Sequence, residues 1–173
     1  WKDVISHRDD VLIEEVDFSK NFMVLGERLN GLLKIRIKSW DGDEDYYLGL
    51  ESEFDFENET YDASIGSNPE YDTDVIRYNY TSLTTPYSVI DYNVVTQKEE
   101  IKKQQEVLGG VFDSKNYTSE RLFAPVHDSV KIPISLVRHI DGKLNKNTPI
   151  LQYANGSYGP SIDPSLWSVR LSL

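Results

Sequence analysis

The sequence predicts a mainly β fold of short antiparallel strands, and three observations lead there. The stretch LLKIRIK alternates strictly, with Leu33, Ile35 and Ile37 on one face and Lys34, Arg36 and Lys38 on the other. That is the period-2 pattern of a strand with one buried face. Just before it, Asn30-Gly31 separates two apolar runs, and this dipeptide suits the positive backbone angles of a tight hairpin. Thirdly, further strands are expected at 46–50, 75–80, 87–92 and 98–104, divided by connections rich in Asn, Asp and Ser, and no long 3.6-residue period occurs before residue 100. Short strands at such spacing build a sandwich, a barrel or a propeller.

The pattern changes after Gly109-Gly110. VFDSKNYTSERLF reads as a connector running into a strand, and VKIPISLVR alternates again, with Ile132, Ile134 and Leu136 on one face. Asp141-Gly142 and Thr148-Pro149 signal turns. ILQY reads as a short apolar strand feeding the Gly-rich NGSYG, an arrangement by which α/β enzymes bring backbone close to a substrate. Beyond it, Asp163 suits a helix N-cap and Pro164 the first helical position, with Leu166, Val169, Arg170 and Leu173 as the helical stripe. A domain boundary is expected near residues 109–119.

Composition narrows the function. A hydrophobic content of 39% with 27% charged residues is that of a soluble globular protein. No run is long enough to span a membrane, no basic-then-apolar leader opens the chain, and the lack of an initial Met suggests a fragment or processed form. With no cysteine and only His7, His127 and His139, neither a disulfide nor a zinc site is expected. A net charge of −11 argues against nucleic-acid binding. An acidic surface attracts cationic ligands such as basic peptides, although its simplest effect is solubility.

Several motifs imitate sites. Asn155-Gly156-Ser157-Tyr158-Gly159 is one glycine short of the G-x-S-x-G nucleophile elbow. Asn155 stands where the elbow's sharp turn leaves no room for a side chain, so Ser157 is not the nucleophile. His127-Asp128-Ser129 holds triad residue types, but neighbours on an extended chain point apart, and a turn between two strands is expected there. Asp41, Asp43 and Asp45 begin like a calcium loop, yet the required glycine is Tyr46 and the twelfth position is Ser52. Sequons at Asn58, Asn79, Asn116 and Asn155 read as chance in an Asn-rich chain.

SHRDDVLIEEVDF, ERLNGLLKIRI, RYNYTSLTTP, QQEVLGGVFDSKNYTSERLFAPVHDSVKIPISLV, QYANGSYGPSIDP and SVRLSL follow one another along the chain. Together they resemble the prolyl oligopeptidase family of serine peptidases, most closely its oligopeptidase B branch, with the weakest match over 41–73. The resemblance implies the last blades of a seven-bladed β-propeller over residues 1–112, followed by the first strands of an α/β-hydrolase domain over 113–173. The chain would be truncated, with the catalytic Ser, Asp and His and the substrate-reading glutamates beyond Leu173.

By the same resemblance, the NGSYG loop follows the third hydrolase strand. Asn155 stands where relatives carry a tyrosine whose hydroxyl donates to the oxyanion. Tyr153 and Tyr158 match aromatic positions, the latter beside the primary specificity pocket. Asp163 matches an acid used near a second basic substrate side chain, whereas Ser165 replaces a second acid. The N-cap reading of Asp163 stands equally beside this one.

The implied activity is cleavage of short peptides after Arg or Lys through an acyl-enzyme, with the propeller limiting substrate size. No cofactor or metal is expected. Short basic peptides and the rest of the catalytic domain are the expected partners, without nucleic acid or membrane, in the cytoplasm or alternatively the periplasm. The 173-residue chain alone is expected to be inactive. A specific prolyl peptidase is disfavoured because NGSYGPSID follows the basic-specific branch. The competing expectation is a non-catalytic β-rich binding module with a degenerate hydrolase remnant, which Asn155 and Ser165 favour.

Overall fold

The computed structural model describes residues 3–40, 51–108, 110–127, 130–156, 158 and 161–172. The expected strand at 46–50, the aspartates at 41, 43 and 45, and Ser157 lie outside them. Strands β1 (Val11–Phe18), β2 (Phe22–Leu29), β3 (Leu32–Ser39) and β4 (Glu51–Glu53) form one antiparallel sheet in chain order. β2 lies inside it, and Phe22, Met23, Val24 and Leu25 are all buried, as a run of apolar residues demands when both faces of a strand are covered. The β2–β3 hairpin turns on Asn30 (φ 51°) and Gly31 (φ 78°), with Leu29 opposite Leu32. Both signs are those of a type I′ turn.

The alternation of β3 is realised on one face only in the expected way. Leu33, Ile35 and Ile37 are buried, but so is Lys38 on the opposite face. That second face holds an ion network rather than open water. Arg36 Nε donates to Glu27 Oε2 at 2.9 Å and Arg36 Nη1 to Glu51 Oε2 at 2.9 Å, while Lys38 Nζ lies 3.4 Å from Glu51. The flanking strands supply the acids: Glu51 sits directly across from Lys38, and Glu27 is a diagonal neighbour of Arg36.

A second antiparallel sheet follows, again in chain order: β5 (Tyr61–Ile65), β6 (Val75–Ser82), β7 (Ser88–Asn93) and β8 (Lys98–Gln104). Its inner residues Tyr61, Ala63, Ile76, Tyr78 and Ile90 form one core with Phe22, Val24, Ile35 and Ile37 of the first sheet. Phe54 and Phe56, on the link between the sheets, pack against that core. The Phe54 ring meets Tyr92 edge-on at 4.5 Å, and Phe56 lies 4.6 Å from Tyr61. Polar tips find partners at the margin: Tyr78 Oη donates to Glu99 and Asn58 Nδ2 donates to Tyr80 Oη. The side chains of two sequons, Asn58 and Asn79, are thus part-buried and hydrogen-bonded, the latter with Ser64.

The expected strand near 87–92 begins at Ser88, and β8 matches its expected limits. β8 is exposed along its length and carries Lys98, Glu99, Glu100, Lys102 and Lys103, charges that discourage pairing at an open edge. Strands β1, β4 and β5 add to those the periodicity announced. β1 is irregular between Ile13 and Glu15, where Glu14 drops out of register. Such a bulge re-aims side chains: Glu15 Oε2 accepts from the Ile65 N–H at 2.8 Å and so ties the two sheets together.

A third sheet is a hairpin of β9 (Tyr117–Pro125) and β10 (Lys131–His139). The Val126 N–H donates to the Val130 carbonyl; Asp128 and Ser129, where the turn between strands is expected, lie outside the described residues. Three expectations fail here. Ile132 and Ile134 are exposed, because among the described residues this hairpin has no second layer over that face. ILQY is not a strand, and Ile150 and Leu151 are exposed; a strand needs a partner ladder, and none of the described strands supplies one. The expected helix from Pro164 is reduced to a 3-10 turn at Ser168–Ser172.

Two substitutions test this core and turn. Ile35→Ala should cost about 3 kcal/mol in urea unfolding of the protein, since a fully buried branched side chain is lost; a loss below ~0.5 kcal/mol would contradict a shared core. Gly31→Val should cost about 1–2 kcal/mol, because a β-branched residue resists φ near +78°.

Candidate functional site

The C-terminal segment meets the first sheet at the β2–β3 hairpin. Arg28, near the end of β2, extends its guanidinium to Asp163: Nη1 donates to Oδ1 at 2.7 Å and Nη2 to Oδ2 at 3.2 Å. Its other edge grips Glu14, with Nε donating to Oε1 at 2.6 Å and Nη2 to Oε2 at 3.2 Å. Nη1 also reaches the Gly31 carbonyl at 3.3 Å. Only 16% of the Arg28 side chain and 25% of the Asp163 side chain remain exposed. Paired fork geometry in a partly dry setting is the strong form of this interaction. Burial alone would lower the Arg28 pKa, but the hydrogen bonds to Glu14 and Asp163 outweigh it and raise it.

A second arginine donates to the same turn. Arg121 of β9 donates from Nη2 to the Asn30 carbonyl at 2.9 Å and from Nη1 to Ser135 Oγ at 2.6 Å. Burial lowers its pKa, opposed by the charge of Asp163. A methyl group on Gly31 would stand 3.2 Å from Arg121 Nη2, so glycine serves both backbone angle and close approach. Downstream of Asp163, Pro164 is buried and the Leu166 N–H donates weakly to Thr81 Oγ1 of β6 at 3.5 Å. Residues 163–166 therefore touch both large sheets. The site is acidic beyond its two arginines: burial raises the pKa of Asp62, and the charges of Asp163, Glu15 and Glu14 raise it further, against Arg28.

Asp163 thus turns its carboxylate to Arg28 rather than capping a helix, and the first helical turn begins only at Ser168. Tyr153 lies elsewhere, with the Arg170 guanidinium 5.0 Å from its ring centroid and 3.9 Å from that of Trp167. An arginine held over two aromatic faces orders the segments on both sides. Tyr158 is fully exposed with φ 63°, a left-handed conformation that non-glycine residues adopt at some cost and often at functional loops. Asn155 is exposed. No hydrogen bond, ion pair or ring contact among the described residues joins Tyr153, Tyr158 and Asp163 to one another.

Sequence reasoning missed Arg28 as the partner of Asp163, Glu14 as the second acid on Arg28, Arg121 as a donor to the hairpin turn, and Trp167 and Arg170 as partners of Tyr153. The available signal was modest: Arg28 stands two residues before the Asn-Gly turn, where a side chain can reach past the hairpin. No group of three or more potential metal-binding residues gathers among the described residues. A cavity of about 330 Å³ lies apart, bordered by Arg8, Arg36, Lys38 and Glu51, and each of these four is already ion-paired.

Successive four-stranded antiparallel sheets packed face to face, each running in chain order, define blades of a β-propeller. Residues 1–105 match the family model "Prolyl oligopeptidase, N-terminal beta-propeller domain", and the chain belongs to the prolyl oligopeptidase family. It is 40% identical over 174 residues to dipeptidyl aminopeptidase BI of Pseudoxanthomonas mexicana, a match covering 100% of this chain and 23% of that protein. Protease 2 of Moraxella lacunata is 26% identical, over 98% of this chain and 23% of the relative. Among solved structures, oligopeptidase B from Trypanosoma brucei, in a closed form with covalently bound antipain, superposes with a TM-score of 0.81 at 33% identity, covering 95% of this chain and 23% of its own. The chain therefore spans about a quarter of the length of these relatives.

The charge of Asp62 gives a pH test. Its pKa is raised in the folded state, so its ionisation opposes folding, and the penalty grows as pH rises from the unfolded value of about 4. Asp62→Asn should therefore raise the thermal midpoint at pH 7 but not at pH 3.5. An equal shift at both pH values would contradict this.

Proposed function

We propose that this chain is part of a serine oligopeptidase that cleaves short peptides after Arg or Lys through an acyl-enzyme. On this reading residues 1–112 are propeller blades that limit substrate size, and residues 113–173 begin the α/β-hydrolase domain that carries the nucleophile further on. The observation that carries the proposal is the extent of the likeness, which covers 100% of the chain at 40% identity to one relative and 95% at 33% identity to an oligopeptidase B structure. The acidic excess of −11 suits cationic substrates. The intact protein would work in the cytoplasm or the periplasm on short basic peptides, without a cofactor.

Asn155 would take the place of the oxyanion-donating tyrosine, with its side-chain amide as the donor. Asn155→Ala in the full-length protein should then lower kcat by about 100-fold with little change in KM, the signature of a donor used only in the transition state. An unchanged kcat would remove Asn155 from the catalytic machinery.

Hydrolysis of an Arg-amide reporter by the full-length protein, abolished by a serine-directed inhibitor, is the expected result for the activity itself. Absence of serine-dependent turnover would leave the binding-module reading in its place. The isolated chain should show neither turnover nor serine-directed labelling. A second reading rests on the 40% identity to a protein named dipeptidyl aminopeptidase BI: removal of dipeptides from a free amino terminus. Reporters with free and blocked amino termini separate the two, since dipeptide release requires the free amine.

A further inference from the structure

The chain contains Asn-Gly twice, at 30–31 and at 155–156, and the fold treats the two pairs in opposite ways. We propose that Asn155-Gly156 is a self-modifying site, where the side-chain amide is lost to water, while the hairpin protects Asn30-Gly31 from the same reaction.

The chemistry needs no reactant but water. The Gly156 main-chain nitrogen gives up its proton to solvent base and attacks Asn155 Cγ. A cyclic imide closes, the bond from Cγ to the side-chain nitrogen breaks, and ammonia leaves with a proton taken from water. Water then opens either imide C–N bond. The product at position 155 is aspartate or isoaspartate, the latter with an extra methylene in the main chain. Water is consumed and ammonia released, with no change of oxidation state. Asparagine is a labile side chain, and a following glycine leaves the attack unhindered because it has no Cβ.

Ring closure also demands that the asparagine ψ turn until the next nitrogen faces Cγ, and here the two pairs differ. Asn155 and Gly156 are exposed and lie outside any strand, helix or turn. Among the described residues, no atom beyond the chain neighbours lies within 4 Å of where a Gly156 Cβ would stand. Asn30 and Gly31 are instead fixed at φ 51° and 78° between the paired Leu29 and Leu32. The Asn30 carbonyl accepts from Arg121 Nη2 at 2.9 Å and the Gly31 carbonyl from Arg28 Nη1 at 3.3 Å. A Cβ on Gly31 would stand 3.2 Å from Arg121 Nη2, so that peptide is covered as well as held. Asn30 is itself exposed, so backbone restraint rather than solvent access separates the pairs. Asn30 reacts only after the hairpin opens, at a free-energy cost that Asn155 does not meet.

Each event puts a carboxylate in place of a neutral amide in a chain already at −11, so the product separates by charge. The test ages the full-length protein in mildly alkaline buffer and quantifies the peptide holding each pair by mass spectrometry at intervals. Position 155 should convert at least about tenfold faster than position 30. In concentrated urea, where the hairpin is gone, the two rates should agree within about twofold. Gly156→Ala, whose methyl group has room, should slow conversion at 155 about tenfold by hindering ring closure and leave position 30 unchanged.

Equal rates in the folded protein would overturn the proposal, as would faster conversion at position 30. So would a 155 peptide that stays intact in the folded protein while its urea-treated counterpart converts. An unchanged rate in Gly156→Ala would also overturn it, because direct hydrolysis of the amide needs no ring.

Discussion

The shared core between the two four-stranded sheets is the constraint on which the rest depends. Each sheet has an apolar inner face that cannot stay in water. Phe22, Val24, Ile35 and Ile37 on one side and Tyr61, Ala63, Ile76, Tyr78 and Ile90 on the other solve that problem together. At roughly 25 cal/mol per Å² of apolar surface removed from water, such a layer dominates the local energetics. The link between the sheets contributes Phe54 and Phe56, two residues apart and hence on one side of an extended segment. Tyr78 shows how the layer tolerates polarity: its ring is buried, burial raises its pKa, and its hydroxyl escapes to Glu99 at the edge.

On this frame the cations of an acidic chain are used sparingly and in two different ways. Lys20 with Asp72, and Lys102 with Glu100, are surface pairs of the kind that contribute little. Arg28 and Arg36 are different, because each is mostly buried and each holds two carboxylates. Removing such a residue leaves its acids uncompensated, a far larger effect than the pair's net contribution to stability. Arg36 braces the outer face of the first sheet. Arg28 and Arg121 donate to the Gly31 and Asn30 carbonyls of the turn and tie the 163–166 segment and the third sheet to the first sheet.

The legible part of the sequence was its local periodicity. β3 and β8 and the Asn-Gly hairpin could be read directly, because the side-chain repeat and the sign of φ are properties of a few adjacent residues. β6 and β7 could be read to within a few residues. The strand expected at ILQY, the buried face of β10 and the helix after Pro164 could not, since each needs a neighbour that the same few residues do not name. An apolar run states that something must cover it, not what or whether a ladder is at hand. The same holds for the site. Tyr153, Asn155, Tyr158 and Asp163 were visible as positions, but the contacts that define two of them come from Arg28 and from Trp167 with Arg170.

By itself, then, the sequence determined a mainly β chain of propeller type, the placement of its central strands and turn, and membership of a peptidase family. Only the tertiary structure decided that Lys38 would be buried among acids, that Glu14 would leave the register of β1, and that Asp163 would bind Arg28 instead of capping a helix. The reason is physical. Backbone preference and hydrophobic period act over a few residues, whereas a carboxylate takes whichever cation the fold carries to it. Here that cation lies 135 positions away in the chain.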